Sequence, residues 1–179
     1  MCGICGFTGA AETDRDILKA LCDIMAHRGP DGEGQYIASG IALGHRRLSL
    51  IDLEGGNQPM VRADAALASS VTSPAAEGNT YTKGSYVLVF NGEIYNYRDL
   101  RTELEEAGYA FETNSDTEVL LVSYLAWGKG LLEKVRGMFA FALWDEPKQE
   151  LFCARDFFGI KPFYYTEYNG RFIFASEVK

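Results

Sequence analysis

Met1-Cys2-Gly3-Ile4-Cys5-Gly6-Phe7-Thr8 opens the chain, and residues 2 to 8 alternate small and apolar side chains as a buried strand does. Gly3 and Gly6 mark points where a neighbour packs close to that strand's backbone. A chain that begins on a buried strand is built around a sheet, and whatever stands at the strand's first position is held rigidly. Here that residue is Cys2, separated from the amino terminus by Met1 alone. Removal of Met1 would place a thiol and a free α-amine on one residue, a nucleophile and a general base without a second side chain. The two groups titrate near roughly 8.5 and roughly 7.7 to 8.0, so both exchange protons around neutral pH. That pairing points to acyl transfer. Cys2-x-x-Cys5 is equally the spacing of redox and zinc motifs, and Cys22 with His27 completes a three-Cys, one-His set on paper. Cys22, however, lies on an apolar helical stripe that packing explains.

Outward from this strand, Thr13 and Asp16 form a cap-like opening to a helix whose Ile17, Leu18, Leu21, Ile24 and Met25 recur at helical spacing, ending near His27. Residues 27 to 34, HRGPDGEG, read as a loop because glycines, Pro30 and the Asp31-Gly32 turn prohibit regular structure. Residues 35 to 51 read as two strands folded about Ser39-Gly40, then a segment carrying Arg46 and Arg47. From Arg62 to Ser85 the composition turns to Ala, Ser, Thr and Gly, which predicts a long mobile excursion with room for a short hairpin. The β-prone run Tyr86 to Phe90 is expected to stop at Asn91-Gly92 and deliver Asn91-Gly92-Glu93 to a turn. Asn96 and Asp99 then open a helix that closes at Gly108, and Ser115-x-x-Glu118 reads as a capping box before VLLVSYLAW, a helix apolar almost all round. Four short aromatic strands follow, separated by Glu146-Pro147, Gly159 to Pro162 and Asn169-Gly170, and predict an antiparallel meander. Strand runs alternating with helix groups, with apolar residues on both sheet faces, require a layered sandwich.

The 179 residues suit one domain, and a chain of that size buries roughly 70% of its unfolded surface, so neither a metal nor a disulfide is needed for stability. A formal charge of -8 argues against nucleic acid or an anionic membrane as partner and favours a small polar ligand. Scattered cysteines, no signal-peptide pattern and no long apolar run predict a cytoplasmic protein.

The start CGICG, then HRGPDGEG, HRRLSLID, NGEIYN, NSDTEV, GMFAFALWD, RDFFGIKP and FASEVK, occur in one order. Together they resemble the glutaminase domain of glutamine-hydrolysing asparagine synthetases, over nearly all of residues 1–179 except the segment around 62 to 85. The resemblance implies an α+β fold, a four-layer αββα sandwich of the N-terminal nucleophile hydrolase type, with two stacked antiparallel sheets and helices on both outer faces. It implies hydrolysis of the side-chain amide of L-glutamine through a cysteinyl thioester, with Cys2 as nucleophile. Asn91, by its side-chain amide, and Gly92, by its backbone N–H, would hold the oxyanion of the tetrahedral intermediate. Arg47, two residues after His45, would take the substrate carboxylate, while Glu93 and Asp116 would hold its ammonium; a solvated surface role suits Arg46. His27 and His45 stand as further candidate partners of Cys2, although such histidines more often make structural hydrogen bonds. No metal or cofactor is implied for this domain. ATP and magnesium belong to the synthetase domain into which family members continue, so the chain is expected to be the ammonia-producing half, partnered by a synthetase domain in cis or in trans, with a homodimer left open. The opposing reading is a catalytically silent domain that binds glutamine or a partner.

Overall fold

The computed structural model describes residues 1–48, 55–63, 71–72 and 85–179. Its elements follow the order β1 Gly3–Thr8, α1 Arg15–Ile24, β2 Gly32–Ala38, β3 Ile41–Arg47, β4 Met60–Ala63, β5 Val71–Thr72 and β6 Ser85–Ile94. The second half holds α2 Tyr97–Glu106, α3 Asp116–Trp127, α4 Leu131–Lys134, β7 Gly137–Asp145, β8 Glu150–Arg155, β9 Tyr164–Tyr168 and β10 Arg171–Ala175. Two five-stranded sheets result, ordered β2-β3-β1-β10-β9 and β5-β4-β6-β7-β8, and every strand pairing is antiparallel.

Three apolar clusters occupy the three spaces between four layers. Cys5, Phe7, Leu18, Cys22, Met25 and Ala42 join α1 to the outer face of the first sheet. Ile4, Ile41, Leu43, Val87, Val89 and Ala140 fill the space between the sheets. Leu88, Phe90, Leu104, Leu121, Phe141 and Leu143 join the second sheet to α2 and α3. Alternate residues of β1, β3 and β6 therefore serve different layers, as strand geometry demands. The expected four-layer sandwich is present.

β1 is the central strand of its sheet, paired to β3 and β10, and Gly6 is required there: a Cβ would lie 2.5 Å from the Ala42 carbonyl oxygen and 2.8 Å from the Phe174 ring. The same strand separates the two cysteines of the CxxC spacing. An odd separation along a strand puts Cys2 and Cys5 on opposite faces, and Cys5 Sγ meets Cys22 Sγ at 3.8 Å beneath α1. The hydrogen bond from Cys22 and burial push the Cys5 thiol well up in pKa, which makes Cys5 an inert thiol, and both cysteines are fully buried in the core.

Several local expectations are corrected. Thr13 and Asp16 do not cap α1; a 3-10 turn at Glu12–Asp14 precedes it, and Asp14 Oδ2 accepts the Ala11 N–H. Ile17 and Ile24 are half exposed, and the stripe that packs is Leu18, Cys22 and Met25. The HRGPDGEG loop ends early, because β2 begins at Gly32 and pairs Gly32 with Arg47. Arg46 is no solvated arginine but bridges Asp23 and Glu33 at 2.6 and 2.8 Å. The final four strands form two hairpins in different sheets rather than one meander. The crossover after β8 is organised by the buried Asp156 carboxylate, which accepts the N–H groups of Phe139, Ile160 and Lys161. Most of the excursion from Arg62 to Ser85 lies outside the described residues; within it, Val71–Thr72 pairs with β4 as a short antiparallel ladder.

Candidate active site

The largest correction falls on Asn91-Gly92-Glu93, which is no turn. β6 runs through it, pairing Asn91 with Ala140, Gly92 with Phe139 and Glu93 with Met138. Glycine is needed at 92 for close approach, because a Cβ there would lie 2.3 Å from the Met138 carbonyl oxygen.

What makes this stretch of strand a site is the shortness of its other neighbour. β4 pairs with β6 only as far as Met60 opposite Leu88, so among the described residues no strand lies beside the β6 edge beyond Leu88. In an antiparallel ladder successive residues turn their N–H groups to opposite edges. Phe90, Gly92 and Ile94 thus share the uncovered edge. The Phe90 N–H donates to Gln58 Oε1 at 2.6 Å and the Ile94 N–H to Asp116 Oδ2 at 3.0 Å. Between them the Gly92 N–H faces a cavity of about 290 Å³.

That cavity is lined by Cys2, Arg47, Asn91, Gly92, Glu93 and Asp116, so all six residues singled out for chemistry or binding converge. Met1, Leu48, Gln58, Thr117, Met138 and Lys161 are also in its wall. Cys2 enters from the first sheet, where its Sγ accepts the Leu48 N–H at 3.4 Å and its carbonyl oxygen accepts Arg28 Nε at 3.0 Å. Asn91 faces the space between the sheets, 1% exposed, with an Nδ2 that has no hydrogen-bond partner among the described residues. A buried amide donor left open is costly unless a ligand takes it. Arg47 is buried to 9% exposure on β3 and donates to Asn57 Oδ1 at 2.9 Å.

Asp116 sits in the first turn of α3, whose start is tied down by Ser115 Oγ accepting the Glu118 N–H. The expected capping box is only half formed. Glu118 turns instead to the N–H groups of Glu112 and Thr113 and to buried Arg62, which locks the approach to the helix. Burial pushes the Asp116 carboxyl up, and the neighbouring Glu93 charge adds to the shift, against the lowering effect of the Ile94 N–H. Two carboxylates facing one cavity are stabilised by a cation between them.

The histidines fall elsewhere. His27 Nε2 lies 3.0 Å from Glu177, and His45 is buried on β3 with neither ring nitrogen in good hydrogen-bond geometry among the described residues. Burial, joined by Arg47, lowers His45 to about 3, although the Phe90 carbonyl acts the other way. His45 is therefore neutral near pH 7. Gln58, Thr117, Lys161 and Arg28 were not legible as site residues: none stands on a periodic pattern, and only their tertiary partners place them here.

Two models described as a glutamine amidotransferase domain match the chain, over residues 45–179 and 1–74. The chain is 40% identical to asparagine synthetase [glutamine-hydrolyzing] 3 of Bacillus subtilis, covering 100% of this chain and 27% of that protein. It is 42% identical to asparagine synthetase [glutamine-hydrolyzing] 1 of the same organism, covering 98% and 26%. It therefore spans about a quarter of the length of these curated relatives. Glutamine phosphoribosylpyrophosphate amidotransferase from B. subtilis superposes with a TM-score of 0.72 over 98% of this chain and 42% of that one, at 21% identity, a likeness of fold. Both the matched models and the identities along the whole chain say the same thing: this chain belongs to the glutamine amidotransferase domain family.

Proposed function

We propose that the chain hydrolyses the side-chain amide of L-glutamine to glutamate and ammonia. The observation that carries the reading is the uncovered edge of β6. It turns the Gly92 N–H to a cavity that also receives the Asn91 amide, unpaired among the described residues, the Cys2 thiol and charged groups of both signs. The Cys2 thiol gives its proton to its own α-amine, the thiolate attacks the amide carbon, and the charge that develops on the amide oxygen is met by Asn91 Nδ2 and the Gly92 N–H. The carbon–nitrogen bond then breaks, and ammonia leaves with a proton delivered by the α-amine of Cys2. Water adds to the γ-glutamyl thioester, the carbon–sulfur bond breaks, and glutamate departs as the thiol is restored. Arg47 pairs with the substrate carboxylate, and Glu93 with Asp116 takes the ammonium.

The chemistry requires Cys2 at the terminus. With Met1 in place the nitrogen of Cys2 is an amide without a basic lone pair, and Met1 also occupies the cavity wall. No metal or cofactor enters these steps. By analogy with the relatives' names, the ammonia feeds ATP-dependent asparagine synthesis on a synthetase domain in cis or in trans, in the cytoplasm.

The test is ammonia release from glutamine by protein sorted by intact mass into Met1-bearing and Cys2-terminal forms. The Cys2-terminal form is expected to be active with or without ATP, and the Met1-bearing form slower by about 10² to 10⁴. Glutamine binding without ammonia from the Cys2-terminal form would refute hydrolysis and establish the silent binding domain. Equal rates from both forms would remove the α-amine as base.

A further inference from the structure

Between β3 and β4 the chain passes the site with Asn57 and Gln58, residues to which no role has been given. Their side chains reach three separate arms of the cavity. Asn57 Oδ1 accepts Arg47 NH1 at 2.9 Å, on the arm assigned to the substrate carboxylate. Gln58 Oε1 accepts the Phe90 N–H at 2.6 Å, one residue before Asn91 and on the same strand edge as the Gly92 N–H. Gln58 Nε2 donates to Thr117 Oγ1 at 3.3 Å, next to Asp116 on the arm assigned to the ammonium. We propose that Asn57 and Gln58 are positioning residues that brace the oxyanion, carboxylate and ammonium arms against one another, an inference that rests on the glutaminase reading of the cavity.

The physical case begins with the end of β4. A strand edge left without a neighbour exposes N–H and C=O groups that water or a partner must satisfy. If Phe90 were satisfied by water, this part of β6 would move against the first sheet, and the oxyanion donors with it. Gln58 substitutes one side-chain acceptor for the missing strand at that residue and leaves the next N–H on the edge, that of Gly92, open. The amide is 9% exposed, so its geometry is set by packing rather than by solvent. Its backbone lies close against the first sheet as well: a Cβ at Gly34 of β2 would lie 1.9 Å from the Gln58 carbonyl oxygen. The brace is therefore pressed against the first sheet, which carries Cys2 and Arg47, while its side chain holds the second sheet and α3. Preorganised donors give their full effect only when they need not move as the charge forms.

The experiment uses the Cys2-terminal chain with three substitutions. Gln58→Met keeps the length and loses the acceptor, and is expected to lower kcat by about 10- to 100-fold with little change in KM. Gln58→Glu keeps an acceptor for Phe90 and loses the donor to Thr117, so kcat is expected within about threefold of wild type and KM is raised. Asn57→Ala is expected to raise KM at near-constant kcat. In an Asn91→Ala background Gln58→Met should cost less than it does in the wild-type chain, because one of the two donors it positions is already removed. Amide exchange gives a reading independent of turnover: Gln58→Met should accelerate exchange at Phe90 while Leu43 on β3 stays protected. An undiminished kcat in Gln58→Met, an equal loss in the Asn91→Ala background, or faster exchange at Leu43 as well as Phe90 would overturn the brace. If wild-type protein released no ammonia, the glutaminase reading would fail by itself, and Phe90 exchange would still decide whether Gln58 clamps the strand.

Discussion

Acidification should destabilise this protein through His45. The imidazole is 1% exposed, and burial lowers it from an ordinary value near 6.5 to about 3. The folded state thus holds His45 neutral where the unfolded chain protonates it. Below pH 6.5 the unfolded state binds more protons, so stability is lost as pH falls and continues to be lost until about pH 3. At a slope that approaches about 1.36 kcal/mol per pH unit below the unfolded value, moving from pH 7.5 to 5 removes roughly 2 kcal/mol, a substantial fraction of a domain's stability. Carboxylates also destabilise folds in acid, so the assay is a difference. Urea unfolding of wild type and His45→Gln would be followed at pH 7.5, 6.5, 5.5 and 5.0. The substitution costs stability at pH 7.5 because it leaves a poorer fit in the core, but a neutral amide gains no proton in the unfolded state. The gap between the two proteins should therefore narrow by about 2 kcal/mol at pH 5, with the carboxylate contributions shared by both and cancelling. Parallel curves would show that folded His45 takes up a proton as readily as the unfolded chain does, and would return it to consideration as an acid–base partner in the cavity.

Arg47→Ala should raise the KM for glutamine while sparing kcat, whereas Asn91→Ala should lower kcat by about 10² to 10³; steady-state kinetics separate the two, and an unchanged kcat for Asn91→Ala would reduce it to a structural residue. Asp116→Asn should raise Tm near neutral pH and weaken glutamine binding by about 10- to 100-fold, since a charged hydrogen-bond partner is lost. The stability gain follows from the upward shift of Asp116, caused by burial and then by Glu93. The fold favours the protonated form, so its contribution is lost as pH rises through the raised pKa and the asparagine variant gains relative to wild type over that range. A Tm difference independent of pH would contradict it.

Local pattern in the sequence determined a good deal here. Period-two alternation marks Gly3–Thr8 and the two strands about Ser39-Gly40, helical spacing marks α1, and Ser115 ahead of an apolar run marks α3, because each signal lies within one element's own backbone geometry. The motif order from CGICG to FASEVK singled out Cys2, Arg47, Asn91, Gly92, Glu93 and Asp116, and the structure brings all six to one cavity. Tertiary structure decided what depends on a neighbour far along the chain. Asn91-Gly92 has the local signature of a turn, yet β7 pairs straight through it, and the glycine serves the approach of Met138 rather than a bend. The last four strands look alike in sequence, but the carboxylate of Asp156 gathers the crossover that sends β9 and β10 to the other sheet. Cys2 and Cys5 share a motif spacing and face different layers. The roles of Asn57 and Gln58 have no periodic signature, because they arise where β4 ends beside β6, and the length of one strand relative to another is settled only when the sheet assembles.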